Sequence, residues 1–478
     1  MKRFALIYVL PLVFSAICIW WVLNQGAALP PPQGATAAAH HAAVHAAQES
    51  PLDGLSRVFS DPLSRLFLQL LVIIGISQLV GTLFSRLGQT AVVGEMAAGI
   101  LLGPSVFGSL FPEGFHFVFP APSLGILQLL SQIGVCLFMF VVGMEVDIRR
   151  LRGKAPTALV VSHVSIVLPY LLGVVLAYFL YTRLAAPGAS FPAFALFLGI
   201  SMSITAFPVL ARILKERGLT QTTLGSIAVT CAAVDDVTAW SILAFVVAIA
   251  QAASLQASAL TVGWVLLFAA VMIWGVRRLL PHCLGPANLA RETPSRAALG
   301  IIVCLVVASA LCTEAIGIHA LFGAFLAGAI IPDTANFRYK LSVRIESFSA
   351  VLLLPLFFAF TGLRTQIGLL NSASDWLLCA LVIAIATIGK MGGSAMAARL
   401  TGMGWNDSLQ LGALMNTRGL MELIALNIGY DLGILSPRIF AMLVIMALVT
   451  TMLTNPLLSL LGRMRPSAET SPLPAHLR

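Results

Sequence analysis

Asp235 and Asp236 form an adjacent pair of carboxylates inside a segment that is otherwise apolar enough to cross a bilayer. A carboxylate at the bilayer centre costs about 2.5 to 3.5 kcal/mol on insertion scales, so the pair indicates water, an ion or a counter-charge close by. Consecutive helix residues point about 100° apart, so the two groups cannot face one cavity in the same way. We therefore expect one carboxylate to meet an ion and the other to pair with a cation on another helix. The alternative is a hydrogen-bonded pair that only fixes packing.

Lys390 is the predicted counter-charge for one of these aspartates. It lies in the middle of another apolar segment, beside Gly389, Gly392 and Gly393, which let a neighbouring helix approach closely. Proximity to an aspartate favours both charged forms, whereas desolvation disfavours them, so a Lys–Asp pair can titrate when its geometry changes. Such a pair can couple a proton to a conformational step. The alternative is a lysine near a helix end whose ammonium reaches the membrane surface.

Two apolar segments are predicted to be broken at membrane depth. Pro208 stands in the hydroxyl-containing stretch 203–209, where it removes a backbone donor and disrupts the helix. The stretch 416–422 brings Arg418 and Glu422 into a second segment. Non-helical backbone at that depth is tolerated only when it lines a cavity or is buried in protein, and opposed half-helix ends build the midplane site of many transporters. The alternative is an ordinary proline kink, or a loop nearer the surface.

The composition places these residues in a polytopic membrane protein. Of 478 residues, 59% are hydrophobic and 10% charged, and the mean hydropathy is +0.96, which is far too apolar for a soluble globular protein of this size. We predict an all-α fold with about thirteen apolar segments, each near the roughly twenty residues that a membrane-crossing helix needs. Their predicted limits are 65–85, 90–110, 124–146, 156–182, 191–214, 222–251, 258–280, 297–314, 318–332, 347–364, 375–399, 407–430 and 438–462.

The basic residues follow the alternation that these segments predict. Most of the 28 lysines and arginines fall in one set of alternate loops, which the positive-inside rule assigns to the cytoplasm together with the C-terminus. The net charge of +9 is therefore spread over short loops and indicates no nucleic-acid partner. The two breaks fall in the fifth and twelfth segments, each fifth in a set of six if the seventh is a linker. Because the two breaks are an odd number of segments apart, the two sets of six cross the membrane in opposite orientations. Such an inverted repeat is suited to alternating access.

Four regions are predicted along the chain. Residues 1–24 form an N-terminal apolar segment, either an extra span or a signal peptide. Residues 25–63 form a flexible exported linker rich in Ala, Pro and His, whose histidines we interpret as solvated rather than as metal ligands. Residues 64–463 form the transmembrane domain, and residues 464–478 form a short cytoplasmic tail.

Other polar residues in the apolar segments support weaker predictions. Glu95 is either part of an ion path or a structural hydrogen bond between helices. Glu145 and Asp147 lie at a segment end beside two arginines, which favours an interfacial ion pair. Arg364, also at a segment end, either is structural or tunes access. Packing or interface roles are expected for Glu314, His163 and His319.

Together these motifs resemble the monovalent cation:proton antiporter superfamily, on its second branch. That branch includes glutathione-gated potassium efflux systems, bacterial sodium/proton antiporters and plant cation/proton exchangers. The resemblance implies a dimerisation domain and a core domain that moves like an elevator, with the two broken helices crossing in the core. The likeness runs from about Arg65 to Arg463 and rests on the order and spacing of 94–104, 140–147, 203–208, Asp235 and Asp236, 355–364, Lys390, and 416–422.

The resemblance also implies roles by position. Asp236 is implied to be the carboxylate that binds the cation and protons alternately, and Asp235 is implied to pair with Lys390. Two aspartates at these positions resemble electrogenic exchangers. Oxygen ligands, which suit hard alkali cations, are implied for Thr205 and for the backbone near Ala206 and Phe207. We expect accessory roles for Arg418, Glu422 and Glu95.

The sequence therefore predicts a secondary active antiporter that exchanges Na⁺ or K⁺ for protons by alternating access. A gated cation channel or efflux pathway is the alternative, since an acidic cavity also conducts cations. No cofactor, no covalent chemistry and no metal beyond the transported ion are expected, so an enzyme is not predicted. The expected partners are the transported ions, the lipid bilayer of a cell membrane, such as a bacterial inner membrane, and a second copy of the chain in a homodimer.

Overall fold

The computed structural model describes residues 20–21, 61–145, 155–219, 222–251, 255–285, 288–289, 291, 293–334 and 336–464. Three predictions therefore lie almost entirely outside the described residues: the N-terminal apolar segment, the linker and the cytoplasmic tail. The ion pair predicted for Asp147 also lies outside them.

The described chain is helical, which confirms the all-α prediction. Its β pairing is a single antiparallel bridge between Ala185 and Leu435, as far as the described residues show. In chain order the α-helices are α1 (Pro62–Arg86), α2 (Ala91–Leu102), α3 (Phe107–Leu110), α4 (Pro112–Val118), α5 (Leu124–Glu145), α6 (Ala155–Leu184), α7 (Phe191–Ser203), α8 (Phe207–Glu216), α9 (Thr223–Gln251), α10 (Leu255–Ala270), α11 (Arg277–Leu284), α12 (Arg296–Ile316), α13 (Ala320–Ala329), α14 (Phe337–Phe348), α15 (Leu354–Arg364), α16 (Ala373–Thr387), α17 (Gly393–Leu400), α18 (Trp405–Met415), α19 (Leu420–Asp431) and α20 (Pro437–Met464).

Within the described residues, eleven helical stretches are long and apolar enough to cross a membrane. They match eleven of the predicted segments in order and position. The expected length of about twenty residues is wrong for one of the other two. Segment 318–332 contains α13, whose 10 residues reach only about 15 Å, roughly half of a 30 Å hydrocarbon core. Segment 407–430 is divided into α18 and α19 within the stretch 416–422, where a break was predicted.

The helices pack as two groups. The core group consists of α6 to α9 and α16 to α20, and the framework group consists of α1, α2, α5 and α12 to α15. Glycines bring helices together within each group. A Cβ on Gly199 of α7 would lie 3.1 Å from the carbonyl oxygen of Tyr170 in α6, and Gly328 of α13 abuts the carbonyl of Phe140 in α5. Small residues at such crossings allow the close backbone packing that holds membrane helices together.

A π-helical turn, Ile388–Gly392, joins α16 to α17 and carries Lys390. It lies against Pro169, a proline inside α6. A Cβ on Gly389 would lie only 3.1 Å from the Cα atom of Pro169, so glycine allows this approach. Turns of this kind are rare and are often found at functional sites. The turn brings the lysine side chain to the centre of the core group.

Candidate functional site

The two predicted breaks cross each other in the core group. The first lies between Ser203, the end of α7, and Phe207, the start of α8. The second lies between Met415 of α18 and Leu420 of α19. The backbone N–H of Ala206 donates a 3.0 Å hydrogen bond to the carbonyl oxygen of Thr417, which joins the breaks directly. A Cβ on Gly419 would lie 2.9 Å from the side chain of Val209, so glycine permits the crossing. The predicted pair of crossing broken helices is confirmed.

Asp235 lies on α9 beside this crossing and is completely buried. Its Oδ1 atom accepts a hydrogen bond of 2.6 Å from Ser162, and its Oδ2 atom accepts bonds of 2.8 Å from Ser165 and 2.7 Å from Thr205. The Nζ atom of Lys390 lies 3.1 Å from Oδ2. An ionised carboxylate only accepts hydrogen bonds, and these three hydroxyls and one ammonium supply donors on both of its oxygens. The arrangement therefore suits a charged Asp235.

Lys390 and Arg418 together cap the end of α7. Lys390 Nζ donates to the carbonyl oxygen of Ser203. The Arg418 guanidinium donates from Nη1 to the carbonyl of Ser201 at 2.9 Å and from Nη2 to that of Met202 at 2.7 Å. The last carbonyls of a helix have no partner within it and carry a partial negative charge. Two cations from the second half of the chain therefore neutralise the broken end of a helix in the first half.

Arg418 is held in turn by the elements around it. Its Nη1 atom lies 3.2 Å from Oε2 of Glu422, and both side chains are fully buried. The hydroxyl of Thr451 on α20 accepts a 3.0 Å hydrogen bond from the backbone N–H of Arg418 and donates a 2.8 Å bond to the backbone carbonyl of Arg418. A buried ion pair is tolerated when further hydrogen bonds support its charges, and the two α7 carbonyls do so here for Arg418. Arg418, together with Glu422, therefore holds the second break against the end of α7.

Asp236 occupies the next position on α9 and is 2% exposed. The helical turn of about 100° per residue directs its side chain away from the group that holds Asp235. The other predicted ligands lie at the first break. The hydroxyl of Thr205 is engaged with Asp235, and the carbonyl of Ala206 accepts the N–H of Leu210 at 3.0 Å. Phe207, half-buried, begins α8.

Sequence reasoning missed Ser162 and Ser165, although their spacing of three residues places both on one face of α6. A serine in an apolar helix commonly donates to a carbonyl of its own helix. Ser201 does so, bonding to the carbonyl of Phe197 at 2.7 Å. The Ser165 hydroxyl also lies 2.8 Å from the carbonyl oxygen of Ser162 in its own helix. The spacing alone therefore did not show which serines also contact Asp235.

Glu95 lies on α2 in the framework group, where it is half-buried. A Cβ on Gly81 of α1 would lie 3.7 Å from its Cγ atom, so its stem packs at the crossing of these two helices. No hydrogen bond or ion pair joins Glu95 to the Asp235 group among the described residues. The structure thus brings together Asp235, Lys390, Thr205 and Arg418, but not Glu95.

Arg364 joins the two groups of helices at one end of the bundle. Its Nη1 atom lies 2.6 Å from Oδ1 of Asp431 and 3.2 Å from Oδ1 of Asn427, both on α19. The Nδ2 atom of Asn427 donates to the hydroxyl of Thr361 on α15 at 2.9 Å. The guanidinium also lies 4.2 Å from the ring centre of Phe360, within the range of a cation–π contact. Arg364 thus ties the end of a framework helix to a broken core helix.

A polar cavity of about 410 Å³ lies at the same end of the bundle, lined in part by Gln132, Glu314, His319 and Asp431. Glu314 and His319 also cap the start of α13. Glu314 accepts the N–H of Ala320 at 2.9 Å, and the ring of His319 accepts that of Leu321 at 3.5 Å. His163, by contrast, is exposed and bonds to the carbonyl of Leu159 in its own helix.

Comparison with known proteins matches residues 71–461 to the family described as sodium/hydrogen exchanger, transmembrane. The chain is 43% identical to the Na(+)/H(+) antiporter NhaS4 of Synechocystis sp., with 85% of this chain and 97% of that protein covered. It is 40% identical to cation/H(+) antiporter 17 of Arabidopsis thaliana and 33% identical to K(+)/H(+) antiporter 1 of Saccharomyces cerevisiae.

The plant and yeast proteins are longer, and the chain spans 48% and 47% of their lengths, with 82% and 84% of its own length covered. Among solved structures, it is similar to the sodium proton antiporter MjNhaP1 from Methanocaldococcus jannaschii, with a TM-score of 0.58 and 14% identity over 84% of this chain and 98% of that one. At that identity the likeness concerns the fold.

Proposed function

Because the chain belongs to the family of transmembrane sodium/hydrogen exchangers, we propose that it is a multi-pass membrane antiporter that exchanges Na⁺ or K⁺ for protons. The observation that carries this proposal is the buried Asp235–Lys390 pair at the crossing of two broken helices, with Asp236 next to it. Broken helices that cross at the membrane midplane are typical of transporters that bind ions there. The relatives named as Na(+)/H(+) and K(+)/H(+) antiporters support the same activity.

The two aspartates have different tasks in this mechanism. The oxygens of Asp235 accept bonds from three hydroxyls and Lys390, which keeps this carboxylate in place. Asp236, which points elsewhere from the same helix, is the carboxylate that binds the transported cation or protons. Because one carboxylate serves both, a cation leaves when protons bind and protons leave when a cation binds. This competition couples the two fluxes without any covalent chemistry.

Lys390 links the site to the conformational step. It holds Asp235 and the end of α7 at once, so a change in its charge affects both contacts. A proton that leaves Lys390 during the cycle adds to the charge moved, which makes the exchange electrogenic. We expect Asp235→Asn to retain exchange but to make it insensitive to membrane voltage.

Alternating access follows from movement of the core group against the framework group. We propose that the framework group also forms the contact between two copies in a homodimer, as in the family that the sequence resembles. The loops rich in lysine and arginine, and with them the C-terminus, are expected on the cytoplasmic side of the cell membrane.

The test is proton flux in everted membrane vesicles that contain the protein. Adding Na⁺ or K⁺ should dissipate an imposed pH gradient, and Asp236→Asn should abolish this response. Glu216→Gln, a change at an exposed carboxylate in an ion pair with Arg212, is the control and should leave it intact. Full activity of Asp236→Asn contradicts the mechanism. Cation flux that ignores an opposing proton gradient favours the channel instead.

A further inference from the structure

The second break contains buried polar atoms that the protein itself does not satisfy. Among the described residues, no hydrogen-bond partner is found for either amide atom of Asn416, for Nε of Arg418 or for Oε1 of Glu422. At the first break, by contrast, the hydroxyls of Ser203 and Thr205 both have partners. Buried polar atoms are nearly always hydrogen-bonded, and each exception calls for an explanation such as a ligand or a functional role.

Asn416 is the clearest of these exceptions. Its side chain is 1% exposed, and both its donor and its acceptor lack a protein partner within the described chain. The amide therefore presents an acceptor oxygen and a donor nitrogen that can both bond to a further group. Arg418 and Glu422, by comparison, each have at least one bonded side-chain atom: Arg418 bonds to α7 and to Glu422, and Glu422 accepts from Arg418.

The neighbours of Asn416 place it at the crossing. The preceding residue, Met415, has its carbonyl oxygen 3.2 Å from the hydroxyl of Thr205, which itself donates to Asp235. The following residue, Thr417, accepts the bond from Ala206 that joins the two breaks. Asn416 therefore lies between the two points at which the broken helices touch.

We propose that the amide oxygen of Asn416 is a ligand of the transported cation, in addition to Asp236. This inference rests on the proposed exchange of Na⁺ or K⁺. Neutral carbonyl-type oxygens are ligands that hard alkali cations accept in place of water. The nearby charges are balanced within two pairs, Asp235 with Lys390 and Glu422 with Arg418. Asp236 then supplies the negative charge and Asn416 a neutral ligand.

The variant Asn416→Leu separates this role from a purely structural one. If the amide is only an unsatisfied buried group, an apolar side chain of similar size removes an unfavourable term, so stability is kept or increased and cation binding does not change. If the amide is a ligand, the protein still folds, but the cation concentration at half-saturation increases about tenfold or more, because a bond to a charged group is lost.

Two measurements test the proposal. The first is the melting temperature of purified protein titrated with NaCl or KCl at constant ionic strength, which needs no transport, since a bound cation stabilises the folded state. The second is the KM for cation-driven proton flux in liposomes. Ser408→Ala is the control, because the Ser408 hydroxyl is also buried without a partner in the described structure. It lies on α18, the helix that leads into the break, about two turns before its end.

We expect Asn416→Leu to raise both the midpoint of the thermal titration and the KM about tenfold or more, with Ser408→Ala unchanged in both. Equal midpoints and KM values in Asn416→Leu and the unaltered protein overturn the proposal, as does an unaltered protein that no cation stabilises. If Asn416→Leu does not fold, the same thermal titration is made with Asn416→Asp. If Asn416 is a ligand, replacing its neutral amide by a carboxylate must change the cation concentration at the midpoint of the thermal titration. An unchanged midpoint in Asn416→Asp therefore also contradicts the proposal. Absence of exchange in the unaltered protein counts against the proposed function, whereas the thermal titration tests the ligand separately.

Discussion

The Nζ atom of Lys390 lies 3.1 Å from Oδ2 of Asp235, and neither side chain is exposed. Removing one partner of such a pair leaves an uncompensated buried charge, which destabilises a protein by about 3–5 kcal/mol. Lys390→Met should therefore lower the free energy of unfolding by about that amount, and Lys390→Met combined with Asp235→Asn should recover part of the loss. Unfolding in mixed detergent micelles measures both. The exposed pair Arg212–Glu216 is the control, with an expected coupling of at most about 1 kcal/mol.

Ser162 and Ser165 should each stabilise the folded protein by a hydrogen bond to the charged carboxylate of Asp235. A hydrogen bond to a charged group is worth about 1.5–3 kcal/mol, so Ser165→Ala should destabilise the protein by that amount. Combined with Asp235→Asn, the loss should be smaller, because the charge is gone. Ser201→Ala, which removes a bond to a carbonyl of its own helix, should behave identically with and without Asp235→Asn. Equal losses for Ser165→Ala in both backgrounds contradict the assignment.

The double cap on α7 should require an arginine at position 418. Arg418→Lys keeps the charge but not the planar fork that reaches two carbonyls and Glu422 together, so it should lower the free energy of unfolding by several kcal/mol, about 3 or more. Arg399→Lys, at an exposed arginine that bonds to the carbonyl of Met403, should change it by within about 0.5 kcal/mol. Similar stability of the two variants would show that charge alone holds the crossing.

The Arg364–Asp431 contact should break during each transport cycle, because it joins the framework group to the core group. In a background without native cysteines, we expect a short thiol crosslinker between Arg364→Cys and Asp431→Cys to arrest proton flux, and cleavage of the crosslinker to restore it. The control is the pair Asp375→Cys and Arg438→Cys, which are 3.8 Å apart at the charged atoms and both lie in the core group. Crosslinking this second pair should leave exchange intact. Full flux through the crosslinked first pair would exclude relative movement at this end.

Much of the fold was evident in the sequence because the membrane makes single residues informative. The transfer of charge into hydrocarbon is so unfavourable that Asp235, Asp236 and Lys390 indicated a site wherever the chain folded. The length of a span is similarly constrained, and eleven of the predicted segments correspond to helical stretches that are long enough to cross a membrane. Pro208 and the polar stretch 416–422 marked the breaks, since backbone disruption is a local property.

The tertiary structure alone decided what these residues touch. Serine and asparagine are tolerated at many places in a membrane helix, so nothing local distinguishes Ser162, which holds Asp235, from Ser201, which bonds to its own helix. The cap that Arg418 forms on α7 links residues more than 200 positions apart. Whether the amide of Asn416 finds a partner depends on every helix around it. A charged residue in an apolar segment can be recognised from the sequence, because it loses its hydration wherever in the membrane it lies. A hydrogen bond cannot, because it exists only where folding brings donor and acceptor together.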